Sequence, residues 1–340
     1  TSLKTTERQK VRSASFPFSE IGEMVEKLVF FAPHPDLVVI TQTICASRQY
    51  FSSAKEGTHY VVDLTERLFG EKIRFPGLSY KLYGPEEAKR HYLDVACRNW
   101  VATCYITSYL KLVENGIVVD CGTNSTDIVP VLDSTPVTLD DHDQGYTRLR
   151  TGELFWLGLY FTSIQSISPT VVLDGEEFQV KPTTKCMAFD AYITLGIISP
   201  EDAVVKTSFE SCVEKILDTI SADRELLTIN DAKKIAQFLA EKHREKTEIA
   251  IRKVLSAANK KYRTDLKVAA IAGAGKDIIL RKIMDNLAFE EVIDIEKAAS
   301  EALDFETPQS NCETSLGCAL MGLQLYKESE RSGPQTASQL

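Results

Sequence analysis

What this sequence lacks narrows it first. It holds eight cysteines in 340 residues (Cys45, Cys97, Cys104, Cys121, Cys186, Cys212, Cys312 and Cys318), and none form a Cys-x-x-Cys pair. That spacing excludes a zinc ribbon and a thioredoxin-type redox motif. Most of the eight sit in apolar runs and read as small core residues in a reducing compartment. Histidine is scarce, five residues with no two at metal-ligand spacing. No apolar run approaches the roughly 20 residues that span a bilayer. No basic, then apolar signal segment opens the chain. Basic charge is in deficit: 39 Lys and Arg face 48 Asp and Glu, a net charge of −9. A phosphate backbone requires a basic face, so nucleic acid is excluded as a partner. The expectation is a cytoplasmic protein with no membrane partner.

The remainder is ordinary globular composition, 44% hydrophobic and 26% charged. The length suits two domains, or one large α/β domain with an insertion. The chain is organised around Ile117-Val118-Val119-Asp120-Cys121-Gly122-Thr123-Asn124-Ser125-Thr126-Asp127-Ile128-Val129-Pro130-Val131. Two β-branched runs flank a short polar turn, which reads as strand, turn, strand. Gly122 has no Cβ to block a close approach. The N–H groups of Thr123, Asn124 and Ser125 and the hydroxyls of Thr123, Ser125 and Thr126 predict an anion-binding nest. Asp120 and Asp127 would repel a bare phosphate, so their presence implies a divalent cation such as Mg²⁺ or a base aimed at a nucleophile. The competing reading is a solvated hairpin turn.

Along the chain, Ser19 caps a helix carrying Ile21, Met24, Val25 and Leu28, and residues 37–40 form a buried strand. Residues 55–70 and 86–109 each read as one helix, the second carrying Asn99 and Trp100 as a core amide or part of a cleft wall. Arg148 and Arg150 precede Glu153 and an aromatic run through Tyr160. They read equally well as a solvated Arg-Glu turn or as a diphosphate clamp with an aromatic wall. A hairpin is predicted at Asp174-Gly175 and a short helix at 188–196. Thr228 or Asn230 caps a helix whose run 241–246 is a solvated face of alternating sign. Gly273-Ala274-Gly275 follows a buried strand and opens a helix, so it suits phosphate or nucleoside contact. A final helix covers 311–326, with 327–340 a disordered tail.

Asp-x-Gly-x-x-x-Thr-Asp at 120–127 resembles the second phosphate loop of the actin/sugar-kinase/Hsp70 ATPase superfamily. Further segments resemble its hydantoinase/oxoprolinase-like branch, and within it the archaeal methanofuran-biosynthesis methanamine synthases. They are Lys55-Glu56-Gly57, Asn99-Trp100, Arg148-Leu149 with Gly152-Glu153-Leu154, Asp190-Ala191-Tyr192 with Leu195-Gly196, and Gly273-Ala274-Gly275. Two departures stand out: Ile40-Thr41-Gln42-Thr43-Ile44 has no carboxylate where the family has Thr-x-Glu-Leu, and Phe161-Thr162 stands where Arg-Thr is common. The opening Thr1 to Lys4 resembles the residues just after the two glycines of the family's first phosphate loop, which implies a truncated start.

The resemblance implies a two-lobed α/β actin-like ATPase (ribonuclease H-like) fold with a central cleft. Residues 1–112, completed by helix 311–326, would form one lobe and 113–310 the other. It implies a transferase joining an aminomethylfuran methyl diphosphate to the phenol of γ-glutamyltyramine, with diphosphate released. Gly122, Thr123, Asn124, Ser125, Thr126, Arg148 and Lys4 would hold the diphosphate and Asp120 the metal. Asp127 would be the base, with Glu153 in reserve. Gly273, Ala274, Gly275, Asn99 and Trp100 would line a nucleotide or substrate cleft. The alternatives are ATP-dependent ring opening or phosphoryl transfer, with ATP or ADP bound, and a non-catalytic pathway protein that binds a nucleotide or partner. A homo-oligomer is left open.

Overall fold

The computed structural model describes residues 2–4, 10–12, 34–141, 145–303 and 313–332. The expected helix at 21–28 and Ser19 cap lie outside them. Two compact units result. The first holds residues 1–118, 129–145 and 293–340, the second 119–128 and 146–292. A sheet of mixed connectivity runs in the order Glu291–Asp294, Val268–Ala272, Gly116–Cys121, Thr126–Leu132, Thr135–Pro136. Leu154–Phe155 pairs antiparallel with the start of Thr126–Leu132, setting Thr126 opposite Phe155 and Asp127 opposite Leu154. The two middle strands are buried almost end to end. That is why their sequences are continuous β-branched runs rather than alternating ones.

In the first unit, Val38–Val39 lies parallel to Ile73–Pro76, which pairs antiparallel with Leu82–Tyr83. The helix Ala54–Phe69 is capped by the Ser53 side chain, which accepts from Glu56 N, and stops at Gly70. It buries Val62 and Phe69 against Ile73, Phe75, Tyr83, Ala88 and Val95. The expected single helix over 86–109 is instead three: Pro85–Arg90, Tyr92–Val95 and Asn99–Tyr109. The breaks have a cause outside the helix. Cys97 takes a left-handed φ of 57°, and its N–H donates to Gln42 O at 3.0 Å. Arg98 then donates from Nη2 to Leu93 O (2.8 Å) and from Nε to Asp94 O (2.9 Å), satisfying the carbonyls that the interrupted helix leaves open. The last helix, Glu313–Ser332, runs six residues past the predicted end. It lies so close to Asn99–Tyr109 that a Cβ on Gly317 would collide with the Ala102 carbonyl.

The second unit is built on the 34-residue helix Ile229–Tyr262. Thr228 accepts from Asp231 N and the Asp231 carboxylate accepts from Thr228 N, a reciprocal cap. Ile235, Leu239, His243, Ile251 and Val254 form its buried stripe. The run 241–246 is therefore not wholly a solvated face: His243 is fully enclosed. It follows Leu239 by four residues, one turn along the apolar stripe. Ahead of this helix, Thr170–Leu173 and Glu176–Gln179 form the predicted hairpin. Asp174 (φ 51°) and Gly175 (φ 87°) make its turn, as the right-handed twist of the strands demands. Ala188–Thr194 is the predicted short helix, followed by Gly196 at φ 71°.

Candidate functional site

The hairpin turn, residues 122–125, is held from one side only. Gly122 N–H donates to Ser125 O at 2.9 Å, closing the turn. The Gly122 carbonyl accepts from Leu159 N (3.0 Å), and the Thr123 carbonyl accepts from Tyr160 N (3.0 Å) and Phe161 N (2.9 Å). The Thr126 hydroxyl donates to Leu157 O at 2.7 Å. Gly158 permits this bracing, since a Cβ there would meet Asn124 and Ser125 N at 2.6 Å. The turn's carbonyls thus point into the unit. Among the described residues no backbone acceptor takes the N–H of Thr123, Asn124 or Ser125. Thr123 and Ser125 are half-buried and Asn124 is exposed, with the Asn124 and Ser125 nitrogens packed beside Gly158. None of residues 122–125 has a positive φ, so the arrangement is a donor-rich turn and not the alternating nest. Gly122 itself is under no internal constraint: a Cβ would touch only Ser125 O at 3.4 Å.

The glycine turn at 273–275 packs directly on the end of the first strand. A Cβ on Gly273 (φ 85°) would strike Asp120 Oδ1 and the Cys121 carbonyl, and one on Gly275 would strike Cys121 Sγ. Gly275 N donates to Cys121 O at 2.8 Å. These glycines are explained by that close approach. The helix they open is a five-residue π turn, Lys276–Leu280, followed by Arg281–Met284. That is too short for the helix-terminus anion site the sequence suggested. Burial pushes the Cys121 thiol up to about 12, with the Thr126 hydrogen bond opposing. It stays protonated beside the turn and is no nucleophile. Buried Lys276 comes directly after the same turn. Sequence reasoning passed over it because Gly-x-Gly-Lys after a strand has no fixed spacing signature.

Arg148 is neither solvated nor facing outward. It lies in the helix Gly145–Thr151, 4% exposed. Its Nη1 is 3.1 Å from Asp127 Oδ1, and Nη2 donates to Glu153 O at 3.2 Å. Glu153, 1% exposed, accepts from the Thr151 hydroxyl at 2.6 Å, and its carbonyl accepts from Ile128 N at 2.8 Å. The expected clamp and the expected base are thus given to each other. The low-dielectric surroundings make that pairing costly to break. Asp120 is half-exposed near the end of the strand Gly116–Cys121, just before the turn.

Asp120, Asp127, Gly122 to Thr126, Arg148, Glu153 and Gly273 to Gly275 all belong to the second unit. Lys4, Asn99 and Trp100 belong to the first. Lys4 ends the strand Ser2–Lys4, opposite Lys10 of Lys10–Arg12. Asn99 begins its helix, and Trp100 is a core side chain, 2% exposed. No cluster of three or more His, Cys, Asp or Glu that could hold a metal occurs among the described residues. A single carboxylate is the donor set that Mg²⁺ tolerates, because it keeps several waters and takes phosphate oxygens as ligands. Asp120 and the Thr123 and Ser125 hydroxyls are oxygen donors of that type, close together in the sequence.

A family model described as hydantoinase/oxoprolinase matches residues 81–302, more than half of the chain, including the hairpin, the Arg148 helix and the glycine turn. The chain belongs to the hydantoinase/oxoprolinase family. This family member is 25% identical over 307 residues to a (4-{4-[2-(γ-L-glutamylamino)ethyl]phenoxymethyl}furan-2-yl)methanamine synthase of Methanocaldococcus jannaschii, with 88% of each chain covered. Its structure resembles nucleotide-free acetone carboxylase, from a study of ATP-dependent acetone carboxylation, with a TM-score of 0.52 and 15% identity. That match takes in 78% of this chain but spans only 38% of the carboxylase chain. An archaeal actin homologue superposes with a TM-score of 0.39 and 11% identity, over 90% of this chain and 75% of the homologue. The fold class is the expected α/β, actin-like ATPase type. No helix among the described residues is long and apolar enough to cross a membrane.

Proposed function

We propose that this hydantoinase/oxoprolinase-family protein is a transferase that couples an aminomethylfuran methyl diphosphate to the phenol of γ-glutamyltyramine and releases diphosphate. The observation that carries the reading is likeness to the methanamine synthase over 88% of both chains. The braced hairpin turn, whose Thr123, Asn124 and Ser125 N–H groups take no backbone acceptor among the described residues, supports it. In this reading the C–O bond to diphosphate breaks as a furfuryl cation forms, and the phenol oxygen closes the ether. Preorganised donors aimed at the departing charge lower that barrier without rearranging. Thr123, Asn124 and Ser125 N–H would receive the diphosphate, with Asp120 holding Mg²⁺, which when bound supplies further charge neutralisation. Trp156 and Phe161, both exposed, would offer apolar surface to the flat rings. Phe161 N–H is bonded to the Thr123 carbonyl, which anchors the Phe161 backbone to the turn.

The geometry shifts one role. Asp127 would act by positioning the second strand through Arg148 rather than as the proton acceptor. The phenol proton would pass to a water beside the Asp120 carboxylate. The test is incubation of the full chain with the diphosphate donor, γ-glutamyltyramine and Mg²⁺. One diphosphate per ether, without nucleotide, is the expected result. ATP hydrolysis with no ether formed would overturn it in favour of a second reading, an ATP-dependent hydrolase or small-molecule kinase. The family match and the ATP-dependent carboxylase likeness favour that reading.

A further inference from the structure

Two thiols of the first unit lie together with no role in the transferase reaction. Cys45, fully buried, sits in the single turn Ile44–Ala46. Half-buried Cys97 lies in the break between Tyr92–Val95 and Asn99–Tyr109. Their sulfurs are 3.8 Å apart although 52 residues separate them in sequence. The backbone holds this juxtaposition. Cys97 N donates to Gln42 O (3.0 Å), the same carbonyl that Cys45 Sγ approaches at 3.4 Å. Gly57 lets the helix Ala54–Phe69 press on the Cys45 backbone. Gln42 adds a second observation. It is 4% exposed, and neither its side-chain oxygen nor its nitrogen has a hydrogen-bond partner, an uncommon state for a buried amide. Thr58, equally enclosed, belongs to the helix that presses on Cys45. Polar groups thus border the thiols, the Gln42 carbonyl 3.4 Å from Cys45 Sγ and the Thr43 carbonyl 3.9 Å from Cys97 Sγ.

We propose that Cys45 and Cys97 are a redox-modification site that closes reversibly to a disulfide when a peroxide is present. The accessible Cys97 thiolate attacks one oxygen of hydrogen peroxide, the O–O bond breaks, and Cys97 sulfenic acid and hydroxide form. The Cys45 thiolate then attacks the Cys97 sulfur, the S–S bond forms, and the S–O bond breaks with hydroxide leaving. The two thiol protons convert both hydroxides to water. The thiols lose two electrons and the peroxide gains them. Either sulfur can donate the hydrogen bond between them. That bond brings the Cys45 thiol down to about 7 against burial, so the pair carries one thiolate near neutral pH that proton exchange places on the accessible Cys97. The sulfurs need to close to about 2.05 Å, a shift of under about 2 Å that a single-turn segment and an interhelical break can absorb. The bond would tie residues 42–46 to the start of the helix that carries Asn99 and Trp100. This site is independent of the anion reading.

The test uses the full chain, reduced, exposed to hydrogen peroxide, alkylated and cut with trypsin. Residues 28–48 and 91–98 are separate tryptic peptides with one cysteine each. The expected result is a linked pair two hydrogens lighter than their sum, returned to single peptides by dithiothreitol and absent in Cys97→Ser. Cys45→Ser should leave Cys97 as a sulfenic acid trapped by dimedone. Conversion of Cys97 to sulfinic or sulfonic acid with no linked pair in the wild type would overturn the proposal. So would equal yield of the pair from urea-unfolded chain, since proximity in the fold would then play no part.

Discussion

Arg148 and Asp127 meet inside the second unit, Nη1 to Oδ1 at 3.1 Å, with side chains only 4% and 8% exposed. The pair joins the strand after the hairpin turn to the helix Gly145–Thr151. It fixes the turn's far end without touching what the turn would bind.

Removing one partner should be far worse than losing a surface ion pair. Arg148→Met is expected to cost about 3–5 kcal/mol, because Asp127 would stay buried with its charge uncompensated. Urea unfolding of the two proteins measures it. A loss below about 1 kcal/mol would place the pair with exposed ones.

The two glycine positions of the site should respond oppositely. Gly273→Ala forces a side chain onto Asp120 and Cys121 at a left-handed φ, so it should destabilise by at least about 2 kcal/mol. Gly122→Ala meets only ordinary contact and should change stability by less than about 0.5 kcal/mol. It should nevertheless weaken diphosphate binding, read by calorimetry in magnesium buffer. Unchanged affinity in Gly122→Ala would remove the turn from the binding site.

His243 gives a pH signature. Burial, then the Arg244 charge, pushes its pKa from 6.5 down to about 3. Between those values the unfolded chain binds a proton that the folded chain refuses. This contribution is complete above pH 6.5 and is lost as pH falls towards 3, with a slope approaching about 1.4 kcal/mol per unit. Tyr192 hydroxyl and His243 Nδ1 are 3.2 Å apart, so His243→Gln keeps a polar neighbour while removing the titration. Stability against pH over this window should be flatter in the variant by that slope. Parallel curves would refute the assignment.

In the first unit, Gly317→Ala should push the helix Glu313–Ser332 off Ala102. Overpacking at this contact is expected to cost about 1–3 kcal/mol. Limited proteolysis after residue 312 should accelerate in parallel. An unchanged melting temperature would show that the helices separate without penalty.

The sequence by itself determined whatever depends on neighbours along the chain. Continuous β-branched runs made the hairpin at 117–131 legible. Thr228 was one of two caps offered for the start of the long helix, and the structure selects it, while Asp174-Gly175 fixed a turn that needs positive φ at both positions. The ordered motifs pointed to the family now shown. Tertiary structure alone decided where charges and thiols were placed. Nothing local distinguishes an Arg148 that clamps a ligand from one that neutralises Asp127. Helical periodicity over 86–109 could not foresee that Gln42, distant in sequence, would take the Cys97 N–H and break the helix. His243 read as one more member of a charged run until neighbouring elements closed over its face. Short-range propensity acts through the backbone, whereas burial is a property of whatever packs opposite. Electrostatic roles follow burial, so they appear only when the chain is folded.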